Sequence, residues 1–141
     1  MPNIDAVKVI DFTQCGDERG KLVAIEGGVD IPFEIKRAFY IYGSARDVVR
    51  GQHANRKTEF VLINVSGTSR VKLKDGKGRE MDFCLDKPYI GLYIPAMVWK
   101  DMYDFSLDSV LLALASEHYD VEEYIRDYNA FVSEINDKQR K

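Results

Sequence analysis

The feature that most constrains this chain is its punctuation: from Lys21 to Ala115, short β-prone runs closed by turn residues recur about every ten positions. Runs are expected at residues 21–26 (KLVAIE), 37–42 (RAFYIY), 59–65 (EFVLINV), 68–74, 80–85, 90–94, 98–105 and 109–115. Gly27-Gly28, Gly43 and Ser66-Gly67 close the first three. Within 68–74, Val71 and Leu73 fall on one face and Arg70, Lys72 and Lys74 on the other, the period of a half-buried strand. Asp75-Gly76 follows as a tight-turn signal, so 68–74 and 80–85 form a hairpin. A series of this kind closes into a sandwich or a barrel. The expected fold class is all-β.

The period changes near the C-terminus. Asp120 with Glu123 three positions later has the spacing of a capping box. Tyr124, Tyr128, Phe131 and Ile135 then fall on one stripe of an amphipathic helix. The spacing predicts a helix over about 120–136, packed against the barrel or a neighbouring subunit, with a frayed tail at 137–141. With 141 residues and no linker or repeat, the chain is expected to form one domain, 1–141.

Composition matters mainly for what it excludes. The longest apolar runs, such as 110–115, are too short to span a bilayer. The N-terminal residues have neither the basic nor the apolar stretch of a secretory signal. Two cysteines, Cys15 and Cys84, make no disulfide framework, which points to a reducing cytoplasm. A net charge of −3 gives no general attraction to nucleic acid or membranes. An anionic ligand therefore needs a local cluster of basic side chains.

The chain has two histidines, His53 and His118. His118 sits beside Tyr119 and Asp120 at the expected strand-to-helix junction and reads as a surface or capping residue. His53 lies in Arg50-Gly-Gln-His-Ala-Asn-Arg-Lys-Thr-Glu59, before a strand and Gly67. This segment resembles the first motif of the cupin superfamily: two histidines one residue apart, a glutamate, then a glycine. In extended backbone His53 and Asn55 project from the same face. The second cupin motif falls around Gly91-Leu-Tyr-Ile-Pro95 and Trp99-Lys100. A cupin metal site takes about three imidazoles and a carboxylate. This chain offers His53 and Glu59, with Asn55 and Lys100 where further histidines would stand. A protonated lysine has no lone pair to give a metal, so a site without metal is expected.

A more specific resemblance runs from Arg19 to Tyr128. Glu18-Arg-Gly-Lys-Leu-Val-Ala-Ile-Glu26, Ile31-Pro-Phe-Glu-Ile-Lys-Arg37 and Arg50-Gly-Gln-His53 are similar to the WxcM-like group. So are Leu85-Asp86, Gly91-Leu-Tyr93, Val98-Trp99, Asp108-Ser109 and Tyr119-Asp120 with Tyr124-Ile-Arg126. That group includes dTDP-4-keto-6-deoxyglucose 3,4-ketoisomerases of deoxysugar and O-antigen biosynthesis. The resemblance implies a cupin, or double-stranded β-helix (jelly-roll barrel), with a C-terminal α-helix. It also implies a cytoplasmic homodimer acting on a dTDP-linked keto sugar with no cofactor.

Two positions depart from the group's pattern: His53-Ala54-Asn55 replaces His-Ala-His, and Trp99-Lys100 replaces the Trp-His of one branch. Moving a keto group from C4 to C3 needs a base for the C3 proton and a donor for C4. It also needs proton exchange between the two oxygens. His53 suits the base because imidazole titrates near neutrality. The second proton is expected to pass through Lys100, whose affinity falls in an apolar pocket, or through the Tyr40 phenol. Asn55 exchanges no proton and can only hold an oxygen. Arg19 and Arg50 are expected at the sugar-diphosphate, since guanidinium forks match phosphate oxygens. Tyr103 is a further substrate-binding candidate. It shares one face of its strand with Trp99, while Lys100 and Met102 share the other, and only one face looks inward. A non-catalytic nucleotide-sugar-binding role and a 3,5-epimerase-like activity are the alternatives. Gluco and galacto products both stay open.

Overall fold

The structure, a computed structural model, describes residues 3–139. A 3-10 turn at Asn3–Ala6 leads into β1 (Lys8–Asp11), β2 (Gln14–Asp17), β3 (Gly20–Val23), β4 (Arg37–Tyr42), β5 (Arg50–Asn55) and β6 (Phe60–Ser66). After these come β7 (Ser69–Lys74), β8 (Glu80–Leu85), β9 (Ile90–Ile94), β10 (Trp99–Tyr103) and β11 (Val110–Ala115). A second 3-10 turn (Val121–Glu123), the short β12 (Tyr124–Ile125) and one helix, α1 (Tyr128–Gln139), complete the described chain.

The strands form two five-stranded sheets, ordered β1-β9-β6-β11-β4 and β12-β5-β10-β7-β8, while β2 and β3 pair only with each other. Ile41, Phe60, Leu62, Leu92, Leu111 and Ala113 of the first sheet meet Val71, Leu73, Leu85 and Met102 of the second in one core. Each large aliphatic side chain fully buried there contributes about 1.5–3 kcal/mol. This is the expected all-β jelly-roll barrel with a C-terminal helix. The central strand β6 is buried on both faces. Phe60 and Leu62 face the barrel core, while Val61 and Ile63 pack under Phe12, Ile31 and Phe33. That double burial explains why its sequence is a continuous apolar run.

The hairpin of β7 and β8 forms as the Asp75-Gly76 signal predicts, with Lys74 paired to Glu80. Asp75 Oδ1 accepts from the Lys77 and Arg79 amides at 2.7 and 3.1 Å. The expected run at 21–26 is displaced: β3 covers Gly20–Val23 and pairs with β2, a polar strand with no periodic signal.

The helix expected at 120–136 needs a larger correction. Asp120 caps only the 3-10 turn, its side chain accepting from the Glu122 amide at 3.0 Å. Tyr124 is a strand residue paired with Asn55 of β5, so it does not belong to the helical stripe. The helix begins at Tyr128, where Asp127 Oδ2 accepts from the Ala130 amide at 2.9 Å. It runs through Gln139, so 137–139 are helical rather than frayed, and 140–141 lie outside the described residues. Phe131 is fully buried with Ala54, Met97, Trp99 and Ile125, which fixes α1 to the outer face of the second sheet. No helix among the described residues is long and apolar enough to cross a membrane.

Candidate active site

Strands β5 and β10 are neighbours, and His53 lies directly opposite Lys100. Directly opposed residues share a face, and here it is the inner one. The ladder shifts between Lys100 and Asp101, opposite Gly51 and Gln52, whose φ angles are +84° and +55°. This is a β-bulge, a device that re-aims side chains. Gly51 is required there, because a Cβ would lie 3.0 Å from the Lys100 carbonyl oxygen. The Gly51 carbonyl in turn accepts from Nδ1 of His53 at 3.0 Å. A carbonyl only accepts, so that bond fixes the tautomer and leaves the lone pair on Nε2. Burial first, and the nearby Lys100 charge second, push the His53 imidazole down to about 4. The ring is neutral near physiological pH.

Lys100 is 3% exposed. Its Nζ donates to Asn55 Oδ1 at 3.1 Å and lies 4.7 Å from the centroid of the Phe60 ring. Burial pushes its ammonium down to about 7, partly opposed by the charge of Glu123. Asn55, also buried, donates from Nδ2 to Glu123 Oε1 at 2.7 Å. Glu123 further accepts from the Lys57 and Thr58 amides at 2.9 and 3.1 Å and from the Thr58 hydroxyl. Burial works to raise the Glu123 carboxyl, but these hydrogen bonds outweigh it and hold it below its usual range.

His53 and Lys100 line a cavity of about 740 Å³. Three arginines border it: Arg37 at the start of β4, Arg50 at the start of β5 and Arg126 just after β12. The guanidinium of Arg37 donates from Nη2 to the Tyr124 hydroxyl at 3.2 Å, while its Nε is buried without a hydrogen-bond partner. A buried donor left unmade is unfavourable. The Tyr124 ring packs at a tilt with its centroid 4.8 Å from that of His53 and carries Arg126 at 4.9 Å on its face.

The residues expected at the site divide into two sets. His53, Lys100 and Arg50 line the cavity, and Asn55 stands behind Lys100. Tyr40 borders the cavity, but its side chain is on the outer face of β4, 64% exposed and stacked 6.0 Å from Tyr42. The alternation that turns Phe39 and Ile41 inward turns Tyr40 outward, which removes the expected interior phenol. Tyr103 is likewise on the outer face of β10, its hydroxyl donating to Asp82 beside Arg70. Arg19 lies on the β2–β3 hairpin, 87% exposed and paired with Asp17 at 2.7 Å, and does not line this cavity. His118 is exposed.

Glu59 accepts from the hydroxyl of Tyr93, a residue of the outer cluster. Among the described residues no three His, Cys, Asp or Glu side chains converge as metal ligands. Sequence reasoning missed Arg37, Tyr124, Arg126 and Glu123. The alternation in 37–42 does place Arg37 on the face of Phe39 and Ile41, a usable signal.

The family described as FdtA: WxcM-like, C-terminal matches residues 5–136. The TDP-4-oxo-6-deoxy-alpha-D-glucose-3,4-oxoisomerase of Aneurinibacillus thermoaerophilus is 46% identical over 132 residues, 92% of this chain and 94% of that one. A histidine-to-asparagine variant of the 3,4-ketoisomerase QdtA from Thermoanaerobacterium thermosaccharolyticum, in complex with TDP-4-keto-6-deoxyglucose, is 41% identical. It superposes with a TM-score of 0.90 over 93% of this chain and 94% of that one. A dTDP-4-dehydrorhamnose 3,5-epimerase from Bacillus anthracis shares 13% identity and a TM-score of 0.75 over 86% of this chain and 78% of the other. That last likeness is one of fold alone.

Proposed function

The chain belongs to the FdtA family of WxcM-like, C-terminal proteins, and from that membership we propose that it moves the keto group of a dTDP-linked 4-keto-6-deoxyhexose from C4 to C3. The observation that carries the chemistry is the pairing of His53 with Lys100 across β5 and β10, inside one cavity. Neutral His53 takes the C3 proton on Nε2 while the Lys100 ammonium protonates the C4 oxygen, giving the enediol. The neutral Lys100 amine then receives the proton of the C3 hydroxyl as the C3 carbonyl forms, and His53 delivers its proton to C4. Both side chains end as they began, and no net proton is consumed.

The diphosphate is held by Arg37, Arg50 and Arg126, whose planar donors suit phosphate oxygens. The place of all three along the wall of the cavity supports this. The two exposed free cysteines, Cys15 and Cys84, support a reducing, cytoplasmic setting, with a 3-keto product feeding deoxysugar and O-antigen assembly. The working unit is a homodimer in which the β2–β3 hairpin carries Arg19 to the diphosphate of the partner's cavity. The exposed hairpin, with Leu22 59% exposed, supports that reading.

The test is proton NMR of dTDP-4-keto-6-deoxyglucose with the pure protein in deuterated buffer. A 3-keto sugar with exchange at C3 or C4 is the expected result, and His53→Asn abolishes it while dTDP affinity is nearly unchanged. Turnover retained in His53→Asn removes His53 from the mechanism. Binding of dTDP without any deuterium incorporation would instead favour a binding role, and exchange at C5 an epimerase.

A further inference from the structure

Lys100 stands where the proposed reaction needs an exchangeable proton, yet it does not touch a carboxylate. Between its amine and Glu123 lies one amide, that of Asn55, with both ends engaged. The order of these bonds is dictated by chemistry. Ionised Glu123 accepts only, so the amide must turn its NH2 toward Glu123 and its oxygen toward Lys100. Glu123 is itself immobilised by the Lys57 and Thr58 amides and the Thr58 hydroxyl. The amide cannot flip without setting an NH2 against an amine and an oxygen against a carboxylate.

The consequence for Lys100 concerns its lone pair. An oxygen acceptor is satisfied by an N–H of either the ammonium or the neutral amine. The amine therefore keeps the same anchor in both states, and its lone pair, when neutral, is free of the Asn55 side. A carboxylate in direct contact would act differently, holding the group as an ammonium. We infer that Asn55 and Glu123 are positioning residues for Lys100: the carboxylate orients the amide, and the amide anchors the amine while keeping it one group away from the negative charge. This inference rests on the catalytic reading of Lys100.

The groups facing Lys100 can be named by element. β5 supplies His53 and Asn55, β6 the Phe60 ring, β7 the apolar Leu73, and the 3-10 turn after β11 supplies Glu123. Arg126, beyond β12, acts on His53. Among these, Glu123 is the negative charge that opposes loss of the Lys100 proton. The two variants that test the arrangement therefore act in opposite directions. Asn55→Asp made together with Glu123→Gln, so that no second carboxylate faces the new one, brings a negative charge into contact with the amine and moves its titration up by one pH unit or more, within the roughly 1–3 units typical of a contacting opposite charge. Glu123→Gln alone removes the attraction and moves it down.

The experiment measures kcat and KM against pH for the wild type and both variants, and follows the Lys100 resonance by NMR in protein labelled at lysine. The expected result is a wild-type limb near pH 7 that the two variants shift in opposite directions, matched by the resonance, with kcat changing more than KM. A merely structural role would lower stability and move neither limb. If Lys100→Met is inactive but both limbs stay in place, the positioning inference is overturned while the catalytic reading of Lys100 stands. A fully active Lys100→Met overturns both. Should the Glu123→Gln proteins fail to fold, Asn55→Leu decides alone: loss of the oxygen that anchors the amine moves the Lys100 titration down and lowers kcat if the inference holds, and the absence of both changes overturns it.

Discussion

Taking the Lys100 ammonium out of water is unfavourable by several kcal/mol unless a partner compensates, and its partner is a neutral amide oxygen. In the unfolded chain the amine keeps its proton up to its ordinary value of 10.5, but in the fold only to about 7. Between those values folding releases a proton, so stability falls as the pH drops from 10.5 toward 7. At roughly 1.4 kcal/mol per pH unit, the window is worth on the order of 5 kcal/mol. His53 acts in the same direction lower down: neutral in the fold to about 4 against an ordinary 6.5, it withdraws stability as the pH falls between those values. Lys100→Met is accordingly expected to raise stability at neutral pH by roughly 3 kcal/mol and to flatten the rise toward alkaline pH, while abolishing isomerisation. Urea unfolding of both proteins at neutral pH and at about pH 10 measures this. An unchanged midpoint at neutral pH would mean that the amine is solvated or ion-paired. A residue that weakens the fold where chemistry needs it is the expected stability–activity trade-off.

The bulge in β5 does at the level of an element what the amide does at the level of an atom. Gly51 combines a φ of +84° with a close carbonyl from β10, whereas Gly43, at +73°, has open space around it. Gly51→Ala and Gly43→Ala thus pay the same backbone strain, on the order of 1 kcal/mol. Only the first displaces β10 and the carbonyl that holds His53. The expected outcome is a kcat loss of roughly tenfold or more for Gly51→Ala, since small misplacements of catalytic groups are costly, and near-normal kcat for Gly43→Ala. Equal losses in the two would show that the bulge does not aim the imidazole.

Elements whose cause is local were legible in the sequence. The β7–β8 hairpin follows from Asp75-Gly76 between two runs, and the shared face of His53 and Asn55 follows from the alternation of one extended segment. The faces taken by Tyr40, and by Lys100 against Tyr103, were not, because alternation defines two faces without saying which meets the core. The helix start was misplaced for a related reason: Asp120 and Glu123 have a capping-box spacing, but Glu123 serves Thr58 and Asn55, 65 and 68 positions away. Nothing within a helical window reports so distant a contact.

For the whole molecule, the unresolved demand is made by the β2–β3 hairpin. It pairs only with itself, and a lone two-stranded hairpin is marginal in water. Arg19, at its tip, makes a surface ion pair with Asp17 that is worth at most about 1 kcal/mol, so a phosphate can displace it. If the hairpin serves a second copy, each site draws His53 from one chain and Arg19 from the other. Two inactive variants then repair each other. In a co-expressed mixture of Arg19→Ala and His53→Asn, about half of the dimers are mixed, and each mixed dimer holds one complete site. The expected recovery is roughly a quarter of the wild-type activity per site. If Arg19 instead serves the cavity of its own chain, every site in the mixture lacks one residue or the other and no activity returns. Sedimentation of the wild type at assay concentration accompanies the test, because a monomer there would exclude the shared site whatever the variants do.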